Sequence, residues 1–241
     1  MDIGKSFSYP FEDNKWLSKL IIGALVSIVP ILNFAWAGYL IDLLKNVINK
    51  AAEPLPEWTD FGGKFMKGLL IWVAGLIYAL PVICLSTIFF TTAGISMGSI
   101  AEGNTADTVM NSFGAIFSGV GIFLTCLIVL YGLLLSFFYP AMLIHFSRSE
   151  TFGSLFQIGS IIKVATSKLS PYLTAWLIGI VAAVVVGLVV GLVSAVVGII
   201  PCIGWLVAWV LSGLTTVYIS VIWAHLFGQV ASQEPSMAIV N

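Results

Sequence analysis

The chain has 241 residues, 59% of them hydrophobic and 9% charged, with a mean hydropathy of +1.07 and a net charge of −1. Soluble domains carry about 25% charged residues, so ten basic and eleven acidic side chains cannot coat a water-facing fold of this size. The near-zero net charge supplies no basic field, which argues against nucleic acid as a partner.

The first nineteen residues mix Asp2, Glu12 and Asp13 with Lys5, Lys15 and Lys19. That is long and mixed for the positive region of a signal peptide, although Ala35-Trp36-Ala37 resembles a cleavage site. The N-terminus is therefore expected to stay. Charge-free runs follow at Leu20–Ile41, Gly68–Ala101, Thr108–Ser147 and Leu169–Gln233. The last is 65 residues. As one helix it would reach ~98 Å, about three bilayer cores, so it must fold back on itself.

All Lys and Arg fall into three clusters: Lys5, Lys15 and Lys19; Lys45, Lys50, Lys64 and Lys67; and Arg148, Lys163 and Lys168. Positive borders mark the cytoplasmic side. This predicts one hairpin from 68–101 and 113–146, and a second from 171–199 and 205–230 that turns at Ile200-Pro201-Cys202-Ile203-Gly204. The C-terminus then lies in the cytoplasm.

The first apolar run has positive residues on both sides, and Pro30 divides 16–48 into two halves too short to span. Two readings fit. One is a re-entrant hairpin with its tip at Pro30–Asn33, where neighbouring protein satisfies the freed backbone. The other is a single kinked spanning helix.

Residues 152–168 place Phe152, Leu155, Phe156, Ile158, Ile161, Ile162 and Ala165 at helical spacing against a polar face, as suits an interfacial helix. Pro54–Lys67 is a shorter stretch of the same kind, anchored by Trp58, Phe61 and Phe65. Lys64, Lys67, Lys163 and Lys168 act as topology determinants and could also attract anionic lipid. The fold expected for residues 1–241 is thus all-α: one integral membrane domain, a polytopic transmembrane bundle of helical hairpins with two cytoplasmic interfacial helices.

Gly179, Ala183, Gly187, Gly191 and Ala195 form an i, i+4 stripe of small residues. Such a stripe admits a close helix neighbour, either 205–230 of the same chain or a second copy. Pro81 and Pro140 are expected to kink their helices.

Chemistry is sparse. Asp42, His145 and His225 are the ionisable residues nearest the membrane interior, each expected at a helix end facing the cytoplasmic surface. They are weak polar-site candidates, with helix capping as the plain alternative and haem ligation by a histidine as a minor one. Gly94-Ile95-Ser96-Met97-Gly98 matches a nucleophile elbow in letters only, because no strand–turn–helix context surrounds it. Cys84, Cys126 and Cys202 lie in apolar runs without C-x-x-C spacing and read as small buried hydrophobes, not a metal site. No catalytic residue, cofactor or metal is expected.

Phe7-Ser8-Tyr9-Pro10-Phe11-Glu12-Asp13, Trp16-Leu17-Ser18-Lys19-Leu20, Pro56-Glu57-Trp58-Thr59-Asp60-Phe61-Gly62 and Leu76-Ile77-Tyr78-Ala79-Leu80-Pro81 resemble an uncharacterised prokaryotic family, domain of unknown function 4013. The resemblance implies a multi-pass protein of the cell membrane and carries no activity. The expected role is a non-enzymatic packing or complex-associated component, touching lipid and a protein partner or a second copy. The alternative is a small-solute transporter or channel, whose path would draw on Asn33, Ser86, Thr87 and Thr91.

Overall fold

The structure is a computed structural model that describes residues 1–53, 55–92, 114, 118–200 and 203–233, apart from the side chains of 90–92 and 203. The 94–98 match, the 102–112 loop, Pro201, Cys202, the Thr91 side chain and residues 234–241 lie outside the described residues. All regular structure among the described residues is helical. The helices are α1 (Ile3–Ser8), α2 (Trp16–Ile28), α3 (Asn33–Ile48), α4 (Phe61–Thr92), α5 (Gly119–Ser149), α6 (Ile158–Ser167), α7 (Leu169–Val197) and α8 (Ile203–Ser232), with 3₁₀ turns at Tyr9–Glu12 and Phe152–Phe156.

Four of these are long and apolar enough to cross a membrane. They cover Phe61–Phe89, Gly119–Ser149, Leu169–Val197 and Gly204–Ser232, with mean hydropathies of 2.4, 2.5, 3.0 and 1.8. At ~1.5 Å per residue each exceeds a ~30 Å core. The fold is a polytopic helical membrane fold. Asp60 starts α4 by accepting the Gly63 N–H on its carboxylate, so residues 61–67 run unbroken into the first long helix. Pro81 and Pro140 both sit inside helices that continue past them.

The chain divides into two compact units, residues 1–72 with 140–241, and residues 73–139. In the smaller unit the Tyr131 hydroxyl donates to the Tyr78 carbonyl at 2.8 Å. Cys84 and Cys126 are free thiols at exposed positions, not the buried hydrophobes expected from their apolar neighbours. A residue inside a spanning helix can be apolar because lipid surrounds it, without being packed in protein.

The larger unit holds the core. Tyr9, Trp36, Tyr39, Leu43, Val47, Leu55, Val217 and Val221 are buried together. Helices α3 and α4 cross in near contact. A Cβ on Gly38 would strike the Lys64 carbonyl, and one on Gly68 would strike the Phe34 carbonyl. Glycine is required at both because backbone meets backbone. Helix α7 packs along α8 through Tyr172, Ala175, Gly179 and Ala182. The Tyr172 hydroxyl accepts the Ala141 N–H at 3.1 Å, just beyond Pro140.

The small-residue stripe divides. Gly179 is seated on the Trp223 indole, whereas a Cβ at Gly187 or Gly191 would meet nothing and Ala195 is exposed. A step of four residues advances ~400°, so an i, i+4 row drifts ~40° per step and leaves the packed face. Gly38→Ala and Gly68→Ala are each expected to destabilise by about 1–3 kcal/mol or more. Gly187→Ala should stabilise by up to about 1 kcal/mol through helix propensity. Thermal unfolding of the detergent-solubilised variants measures both.

Candidate functional site

Polar residues gather at one end of the larger unit. Asp13 opens α2 by accepting the Lys15 N–H at 2.7 Å. Its other oxygen binds the Lys19 ammonium at 2.8 Å, with both side chains only 3–4% exposed. Lys19 also donates to the Leu55 carbonyl at 2.9 Å and meets Glu57 at 3.2 Å. Its three N–H groups thus face three acceptors. Burial pulls the Lys19 pKa down, but hydrogen bonds and charge from Asp13 and Glu57 outweigh it, so the group stands above the ordinary lysine value. Trp58 covers the pair. Its indole N–H donates to the Lys19 carbonyl, and its ring stacks on Tyr39 with centroids 4.6 Å apart.

A second cluster joins α3, α4 and the end of α5. Asp42 binds Lys64 at 3.1 Å and Lys67 at 2.7 Å. Glu150 binds Lys67 at 3.1 Å and Lys45 at 2.7 Å. Asp42 is not at a helix end, since α3 continues to Ile48. Lys64 is buried and Lys67 is held by two carboxylates, so these two lysines are engaged within the chain. Lys163 is exposed on α6. The Lys45 and Lys67 hydrogen bonds, working against burial, hold Glu150 below the ordinary carboxylate range.

His225 forms the third site. Its ring stacks on Tyr9 at 3.9 Å, and its Nδ1 lies 2.9 Å from both the Ser6 hydroxyl and Gln229 Nε2. The Asp2 N–H donates to Gln229 Oε1 at 2.6 Å, which fixes the amide with its NH₂ toward the ring. An NH₂ can only donate, so Nδ1 is the acceptor and the neutral ring carries its proton on Nε2. Ser6 is fully buried, so its hydroxyl is a structural partner and not a nucleophile within reach of substrate. Beside it opens a cleft of about 320 Å³ whose lining includes Asp2, Lys5, Glu12 and Lys50. Two ammoniums against two carboxylates give it no net field of either sign.

Asp42, His145 and His225 share no partner. Asp42 is bound by Lys64 and Lys67, His145 Nε2 lies 2.9 Å from Gln157 Oε1, and His225 is held by Ser6, Gln229 and Tyr9. Of the hairpin residues, Pro30 and Asn33 are both exposed at the α2–α3 turn. No group of three metal-ligating side chains occurs among the described residues. The Lys19 site escaped sequence reading because Asp13 and Glu57 are far apart in the chain, and His225 finds Ser6 across 219 positions.

Residues 21–195 match the model of a family described as a protein of unknown function, DUF4013. No curated protein and no solved structure gives a match.

Removing one partner of a buried ion pair strands the other charge, so Asp13→Ala should cost about 3–5 kcal/mol. The double replacement Asp13→Leu with Lys19→Met should recover most of it, as read by unfolding in detergent. The pH dependence near Glu150 has a defined sign. Its lowered pKa contributes stability above the ordinary glutamate value, lost as pH falls through the folded value. Melting temperature should therefore fall on acidification below about pH 4.5, and Glu150→Gln should reduce that slope.

Proposed function

Since the chain belongs to the DUF4013 family, whose description carries no activity, we propose from its own geometry a non-enzymatic, multi-pass component of the cell membrane, with both ends of its larger unit in the cytoplasm. One observation carries the reading. Charged groups bordering the apolar segments are paired within the chain: Asp42 with Lys64 and Lys67, Glu150 with Lys45 and Lys67, and Lys19 with Asp13 at the entry of α2. Groups held in this way position helices and are poorly placed for proton transfer or ligand capture. The long helices meanwhile offer large apolar faces, with Leu188, Leu192 and Val196 on α7 each more than 60% exposed. Lipid, a partner protein or a second copy would cover such faces.

The transport reading has less support. It needs a polar path, yet the Thr87 hydroxyl is turned back to the Ile83 carbonyl of its own helix, and Asn33 is exposed. Extraction of the native membrane into polymer discs, followed by mass measurement, tests the proposal. A second copy or a co-purifying protein is expected. A bare monomer with lipid alone would remove the complex-associated role.

A further inference from the structure

The segment from Trp16 to Ile48 goes down and comes back. Helices α2 and α3 are ~20 and ~24 Å long, each short of a ~30 Å core. Both lie against α8, and that helix serves as a ruler. Near the turn, Ile28 abuts Gly213. At the other end of α3, Leu44 and Val47 abut Gly228. The start of α2 is level with the residues that follow α3, because Lys19 reaches the Leu55 carbonyl and Glu57. The tip stops at Gly213, some ten residues or ~15 Å short of the start of α8 at Ile203.

The outward face of this hairpin is uncharged and mostly apolar from its entry to its tip, with Ser18 and Asn33 as exposed polar side chains. Leu17, Ile21 and Leu25 are exposed by 55, 44 and 61%, and Val29, Ile31 and Leu32 at the turn by 41, 65 and 38%. No charged residue occurs between Leu20 and Ile41, while Lys15 and Glu57 pair at the entry. Ile31 holds φ at +74°, a costly conformation for a β-branched residue. The turn keeps a large apolar side chain at its outermost point where glycine would relieve the strain.

We propose that α2 and α3 form an insert confined to one leaflet, the leaflet bordered by Lys15 and Lys50, and that the acyl chains of that leaflet cover Leu17, Leu25, Val29, Ile31 and Leu32. The distance from Leu17 to Ile28 is ~17 Å, close to half the core. The chain therefore takes up more area in that leaflet than in the opposite one. This holds whether or not the protein has a partner.

Single cysteines at Lys15, Ile31, Leu32 and Asn49, in a chain with Cys84, Cys126 and Cys202 replaced by serine, test it with a membrane-impermeant maleimide on sealed vesicles of both orientations. Lys15→Cys and Asn49→Cys should label from one and the same side. Ile31→Cys and Leu32→Cys should label at least tenfold faster after detergent solubilisation than from either side of intact vesicles. An environment-sensitive dye on either tip cysteine should be quenched more by a mid-chain spin-labelled lipid than by a headgroup-labelled one. Labelling of the two ends from opposite sides would establish a single crossing and overturn the proposal. Ready labelling of both tip cysteines in intact vesicles would place the turn outside lipid and overturn it as well.

Discussion

An ammonium ion cannot leave water alone, and the packing of the larger unit is arranged around that fact. Lys19 lies almost wholly inside the protein, one turn into an apolar helix, with every N–H facing an oxygen. Its acceptors come from the entry of α2 and from the strand of chain after α3. Satisfying one charge therefore clamps both ends of the hairpin together. Trp58 closes the clamp from outside by stacking on Tyr39 and donating to the Lys19 carbonyl. Water screening is weak at such a site, so the loss of any partner is felt in full.

The second organising element is close backbone approach. Where α3 crosses α4, two glycines remove the side chains that would hold the helices apart. Dispersion between main chains then supplies contact that apolar solvent does not drive. The crossing also brings Asp42 within reach of Lys64 and Lys67, so steric and ionic complementarity reinforce each other. Proximity from Gly38 and Gly68 and neutralisation from Asp42 are two aspects of one interface.

Much of the architecture was legible in the sequence, and the reason is physical. Spanning length is a local property, so the segments predicted at 68–101, 113–146, 171–199 and 205–230 overlap, among the described residues, the long helices Phe61–Thr92, Gly119–Ser149, Leu169–Val197 and Ile203–Ser232. The helical start at Phe61 lies seven residues earlier than the charge boundary, because Lys64 and Lys67 enter the helix once Asp42 neutralises them. Long-range partners were not legible. Nothing local in Lys19 announces Glu57, and nothing in His225 announces Ser6. The small-residue stripe is packed within the chain only in part, because a four-residue spacing winds slowly around a helix. Gly179 meets Trp223 of α8, whereas a Cβ at Gly187 or Gly191 would meet no neighbour.

The clamp around Lys19 has a consequence for biosynthesis. Asp13 is available as soon as α2 is made, but the Leu55 carbonyl and Glu57 emerge from the ribosome some three dozen residues later. Until then the nascent chain carries an ammonium with one carboxylate and two unmet donors. The buried ammonium is therefore fully partnered only after Leu55–Trp58 has been synthesised, which ties the packing of one segment to the translation of another.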